Sequence, residues 1–122
     1  MSPLKRLLVV EDDALLLLFL IDDLAERGLE AVAASSARTG ARRMAENIDA
    51  LITDIELGDG PNGLALARLA SQYRPGLPIV IVSGGVTPKP EDLPKGAIFI
   101  PKPYSIDRIL SALEKQRVTR AA

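Results

Sequence analysis

The chain has 122 residues, enough for one domain, and its 48% hydrophobic and 25% charged residues exclude a largely disordered protein. Its 15 basic and 16 acidic residues leave a net charge of −1, which argues against a nucleic-acid-binding surface. Cysteine and histidine are both absent, so disulfides, thiolate or imidazole metal ligands, and serine–histidine or cysteine–histidine mechanisms are excluded.

Leu7 to Val10 is a short apolar run ending at acids, as a buried strand would be. Asp13 to Arg27 has helical character and stops at Gly28. Glu30 to Ala34 reads as a second strand, and Ser35 or Ser36 can cap a helix from Ala37 to about Glu46. Ala50 to Asp54 is a third strand. Gly58, Gly60, Pro61, Asn62 and Gly63 mark a loop. A helix over Leu64 to Tyr73 closes at Pro75-Gly76, and Ile79 to Val82 forms a β-branched fourth strand. Between Gly84 and Gly96, three prolines (Pro88, Pro90 and Pro94) leave room for only a loop, or one short turn at Glu91 to Leu93. Ala97 to Ile100 is a fifth strand. A last helix starts at Ser105 or Asp107 and runs to about Arg117, with Thr119 to Ala122 expected to fray.

Strands alternating with helices predict βαβ units around a parallel sheet, and the nearly continuous apolar strands predict cover on both faces. The whole of 1–122 is expected to be one domain, with its core over about 5–117 and no output domain. The longest apolar run, Ala14 to Ile21, is too short to span a membrane. No signal-peptide pattern precedes the first strand, so a cytoplasmic protein is expected.

In such sheets ligands bind beyond the carboxyl ends of the strands. Glu11, Asp12 and Asp13 follow the first strand, and Asp54 ends the third. Ser83 follows the fourth, with Gly84 beside it, and Lys102 follows the fifth. Singly, each has an ordinary reading: junction acids cap helices, and a lone lysine is a solvated charge. Together they predict a magnesium and phosphoryl site. Glu11, Asp12 and Asp54 offer the hard oxygen ligands that Mg2+, or Mn2+, requires. A carboxylate can itself accept a phosphoryl group. Lys102 and Ser83 would then steady the phosphoryl oxygens, and Gly84 would leave the backbone open beside them.

The segments Val9-Val10-Glu11-Asp12-Asp13, Ile52-Thr53-Asp54, Val82-Ser83-Gly84 and Pro101-Lys102-Pro103-Tyr104 resemble the receiver domains of bacterial response regulators. The resemblance runs from about Lys5 to Arg117. It implies a flavodoxin-like three-layer α/β/α fold with a five-stranded parallel sheet in the order 2-1-3-4-5, here with the fourth helix short or missing. It implies phosphoryl transfer from a sensor histidine kinase, or from a phosphotransfer protein, to Asp54. By the same resemblance Asp12 binds the metal directly and Glu11 acts through water. Glu56 supplies a backbone carbonyl to the metal. Ser83 is the switch hydroxyl, Phe99 the aromatic switch, and Lys102 the lysine that binds the phosphoryl group. The Lys102–Pro103 bond would be cis, and Asp13 is left as a first-turn helix acid.

Two departures stand out. The loop Leu57 to Gly63 is one residue longer than the common family turn, and Gly84 replaces the usual alanine. The degraded fourth helix also argues against a dimer through the usual output face.

Helix periodicity places Leu17, Leu20, Ile21 and Leu24 on one face of the first helix. Leu15 and Phe19 fall among Asp22, Asp23 and Glu26 on the other, which predicts an exposed apolar partner surface. The expected function is a single-domain response regulator that signals through protein contacts or acts as a phosphate shuttle or sink. Its downstream protein target is not named by the sequence, it contacts neither nucleic acid nor membrane, and it is a monomer or a weak homodimer. An enzyme is not expected beyond slow self-dephosphorylation: a haloacid-dehalogenase-type phosphatase would need an aspartate where Glu56 stands. The alternative is a receiver-fold adaptor that binds partners through the first helix without phosphorylation.

Overall fold

The computed structural model describes residues 3–121. Five strands form one parallel sheet in the order β2-β1-β3-β4-β5. They are β1 (Arg6–Val10), β2 (Glu30–Ala34), β3 (Ala50–Asp54), β4 (Ile79–Ser83) and β5 (Ile98–Pro101). The helices are α1 (Ala14–Glu26), α2 (Ala37–Arg43), α3 (Gly63–Tyr73) and α4 (Ile106–Ala121). Between β4 and β5 there is only a single 3-10 turn, Pro90–Asp92, as the prolines foretold.

Alternation along the strands splits the core in two. Leu8 and Val10 of β1, Leu51 of β3 and Ile81 of β4 face Met44, Leu66, Ala67 and Ala70 on the α2–α3 side. Leu7, Val9, Ile52, Val80 and Val82 face Leu20 and Leu24 of α1 and Ile109 and Leu113 of α4. β3 and β4 are buried along their whole length, which is why they read as unbroken apolar runs rather than alternating ones.

The caps explain where the helices begin. Asp13 is not a first-turn acid: it is the N-cap of α1, and its Oδ1 accepts from the Leu15 and Leu16 amides at 3.0 and 3.1 Å. Ser36, rather than Ser35, caps α2, and Asn62 caps α3 through the Ala65 amide. Ser105 decides the start of α4, its hydroxyl accepting from the Arg108 amide at 3.1 Å. Gly28 follows α1 with φ +75°, the left-handed turn that glycine allows after a helix.

Two lengths differ from expectation. α2 ends at Arg43 instead of Glu46, because the Met44 amide is already shared among the carbonyls of Gly40, Ala41 and Arg42. α4 extends to Ala121, past the expected end near Arg117, since no glycine or proline interrupts it after Arg117. Ala122 lies outside the described residues.

Candidate functional site

Because all five strands are parallel, their carboxyl ends share one edge. The register sets Val10 beside Thr53, Asp54 beside Val82, and Ser83 beside Pro101. The residues at or just past the ends of β1, β3, β4 and β5 therefore arrive at the same place. Glu11, Asp54 and Ser83 are buried there, while Asp12 remains exposed.

Lys102 ties the cluster together. Its Nζ lies 2.9 Å from Asp54 Oδ2 and 3.2 Å from Glu11 Oε1. The second oxygen of each acid is held by backbone: the Glu56 amide donates to Asp54 Oδ1 at 3.3 Å, and the Asp13 amide to Glu11 Oε2 at 3.2 Å. Burial works against the Lys102 ammonium, but the hydrogen bonds to Asp54 and Glu11 outweigh it and hold its pKa above the ordinary lysine value. Burial raises the pKa of the Glu11 carboxyl, and the neighbouring Asp54 charge adds to the rise. The Asp13 amide and Lys102 offset only part of it. Burial likewise raises the Tyr104 phenol. The Lys102–Pro103 peptide is cis, as expected from the resemblance.

Carboxylate oxygens of Glu11, Asp12 and Asp54 lie within 4.8 Å of one another. Three hard anionic oxygens beside a single ammonium leave excess negative charge, which suits a small divalent cation such as Mg2+ or Mn2+.

The residues expected to form the switch are placed differently. The Ser83 hydroxyl donates to Glu56 Oε1 at 2.7 Å and accepts from the Val86 amide at 2.9 Å. Glu56 takes a second bond from the Gly85 amide at 3.3 Å. These two bonds, that from Ser83 foremost, lower its carboxyl pKa. The resemblance assigns Glu56 a backbone carbonyl, and the position of Glu56 and Gly85 beside the pocket points to control of the phosphoryl lifetime; the side-chain bond to Ser83 lies outside both expectations. A Cβ at Gly84 would make ordinary contact with the Lys102 side chain, at 3.7 and 3.8 Å. Phe99 is half-buried against the α2–α3 core.

Gly63, a loop glycine by composition, is the first residue of α3, packed directly on the Asp54 carbonyl. Nothing in the local pattern marks that contact.

Leu15 and Phe19 are exposed on α1, and Leu16 and Leu18 join them. Leu16, Phe19, Leu20 and Asp23 line one side of a groove of about 410 Å³, and Lys102, Pro103 and Tyr104 line the other. The groove therefore reaches from α1 to the lysine of the acidic cluster. Among the described residues no helix is long and apolar enough to cross a membrane.

Comparison with known proteins agrees with this geometry. The family model for the response regulator receiver domain matches residues 7–114. The response regulator receiver protein CpdR of Brucella abortus (strain 2308) is 29% identical over 119 residues, covering 94% of this chain and 98% of that protein. A response regulator receiver protein of Anaeromyxobacter sp. (strain Fw109-5) is 34% identical over 106 residues; the match covers 87% of this chain and 43% of that longer protein. The crystal structure of a response regulator receiver protein from Sinorhizobium medicae WSM419 superposes with a TM-score of 0.89 at 27% identity, covering 96% of this chain and 97% of that one.

Proposed function

The chain belongs to the response regulator receiver family, and from that membership we propose that it is a phosphoacceptor in two-component signalling, taking a phosphoryl group from a phosphohistidine onto Asp54. The observation that carries this reading is the pairing of a buried Asp54 with the Lys102 ammonium at 2.9 Å, at the edge where Glu11 and Asp12 also converge.

The chemistry follows from the placement. An Asp54 carboxylate oxygen attacks phosphorus while the phosphorus–nitrogen bond of the donor breaks, giving an acyl phosphate and releasing the imidazole, which takes up a proton. Lys102 already points its ammonium at Asp54 Oδ2 and is held protonated, so it can stabilise the charge gathering on the phosphoryl oxygens. Glu11 keeps Lys102 directed at the site through its own 3.2 Å bond. Glu11, Asp12 and Asp54, with the Glu56 backbone carbonyl, would hold a Mg2+ or Mn2+ ion, which when bound neutralises the transferring group. Ser83 and Phe99 are the residues through which the phosphorylated state would spread outward.

The donor is a sensor histidine kinase or phosphotransfer protein, and the α1 groove with Phe19 beside it is the surface on which it would dock. Exposed apolar side chains next to the reacting centre suit a transient helical partner. Phosphorylation would be read by a protein target, or the group passed on or drained. The reaction is stoichiometric acceptance with at most slow self-hydrolysis, in a cytoplasmic setting where such kinases present their phosphohistidine.

Magnesium-dependent labelling by acetyl phosphate tests the reading, with wild type compared against Asp54→Asn. Labelling that disappears in the variant supports it. A folded wild type that takes no label from acetyl phosphate or from a phosphorylated kinase would overturn it. The phosphorylation-independent adaptor, binding through α1, would then stand.

A further inference from the structure

We propose that the Glu56 side chain is a positioning residue that withholds the Ser83 hydroxyl until phosphoryl transfer, so that surrender of one hydrogen bond gates the switch. This rests on the reading of Asp54 as phosphoacceptor.

The argument is one of stoichiometry. A serine hydroxyl has one proton to donate and otherwise only accepts. In the resting protein that proton goes to Glu56 Oε1 over 2.7 Å, and the hydroxyl oxygen accepts from the Val86 amide. A phosphoryl oxygen can only accept. Ser83 therefore cannot serve a phosphorylated Asp54 and Glu56 at once. The bond to be given up is to a carboxylate, the stronger class of hydrogen bond, and Ser83 is buried where water cannot easily replace it.

The surroundings support a fitted contact. The Gly85 amide donates to the same Glu56 oxygen at 3.3 Å. A Cβ at position 85 would lie 2.9 Å from Glu56 Oε2 and 3.3 Å from Oε1, so the missing side chain at 85 is what admits the carboxylate. Glu56 follows Asp54 by two residues and Gly85 follows Ser83 by two, so the contact bridges the ends of β3 and β4 across the acceptor. A phosphoryl group on Asp54 would bring like charge toward Glu56 and favour its release.

The test is binding of beryllium trifluoride with Mg2+, a mimic of the phosphoryl group, followed by the amide resonances of Gly85 and Val86. Glu56→Ala leaves the backbone carbonyl in place and is expected to bind the mimic on the order of tenfold more tightly, as loss of one charge-assisted bond implies. Glu56→Gln keeps an acceptor without the charge and is expected between the two. In a Ser83→Ala background, Glu56→Ala should give no gain. A gain that persists undiminished there would show that Glu56 acts by charge alone and would overturn the proposal, as would no gain in Glu56→Ala itself. If wild type binds no mimic at all, the phosphoacceptor reading fails and the contact is still decided from ligand-free spectra. Glu56→Ala should then shift the Val86 amide in wild type but not in Ser83→Ala, and an unmoved Val86 amide overturns it.

Discussion

Gly63→Ala is the substitution with the sharpest structural consequence. A Cβ at this position would sit 1.7 Å from the Asp54 carbonyl oxygen, 2.7 Å from its carbon and 3.0 Å from Ile55 Cα. An ordinary carbon–oxygen contact needs about 3.3 Å, so the helix and strand must part by roughly 1.6 Å. All three atoms are backbone, and no side chain can swing aside. The Gly63 amide also donates to the Ile55 carbonyl at 2.8 Å, pinning the helix start to the segment that carries Asp54. Leu64, Leu66, Ala67 and Ala70 lock α3 against the sheet, and an interior at crystal-like density does not absorb such a shift. Overpacking of this size costs about 3 kcal/mol. For a domain of this length that lowers the melting temperature by roughly 12 °C. The assay is thermal unfolding followed by circular dichroism, with acetyl phosphate labelling of the folded protein alongside. Labelling should fall too, because Asp54 moves with its carbonyl. Gly84→Ala is the control: its Cβ meets only Lys102 at ordinary distances, so stability should change by less than about 1 kcal/mol. A Gly63→Ala protein that melts with wild type and labels normally would refute the reasoning.

Lys102→Met leaves Glu11 and Asp54 buried without their cation, at a cost of about 3 kcal/mol near neutral pH, the low end for a broken pair because the lysine is 24% exposed. Glu11 already titrates above its ordinary 4.5. Without Lys102 it rises further, and the folded state binds more protons than the unfolded one between those values. Stability is then lost as pH rises through that window, so the variant's deficit in urea denaturation should shrink as pH falls toward the ordinary carboxylate value. A deficit independent of pH would count against the cause given. Magnesium should raise the melting temperature, by about 2.7 kcal/mol of stabilisation at a hundredfold excess over its dissociation constant. A chelator should reverse the rise, and Asp12→Asn should abolish it; an undiminished rise in that variant would place the ion elsewhere. Gln116→Leu strips the buried Ile79 amide of its acceptor, a bond of 2.8 Å, and removes the 2.9 Å side-chain bond to the Ile79 carbonyl, which keeps its place in the β4–β5 ladder. It should cost roughly 1–3 kcal/mol in a urea melt, and a cost below that of an ordinary surface substitution would contradict it.

Much of the site was legible because its residues sit at strand ends. Each strand announces itself by an apolar run, and a parallel sheet sends every carboxyl end to one edge. Glu11, Asp12, Asp54, Ser83 and Lys102 could be assembled from those two facts, and the structure brings Glu11, Asp12, Asp54 and Lys102 into one charged cluster. The prolines after Gly85 equally announced the missing helix, because proline acts on its own turn. The exposed face of α1 followed from periodicity alone.

The remaining contacts lie beyond the reach of local signals. Ser83 and Glu56 are 27 residues apart, and Gln116 and Ile79 are 37 apart. The Gly63 approach to Asp54 depends on how closely α3 packs on β3, which the glycine-rich loop does not reveal. Capping, periodicity and turn chemistry act over a few residues, so the elements, their order and the charges at the strand ends are written locally along the chain. Which oxygen receives the Ser83 proton, and how near a helix stands to the Asp54 backbone, depend on side chains and backbones that meet only when the layers close.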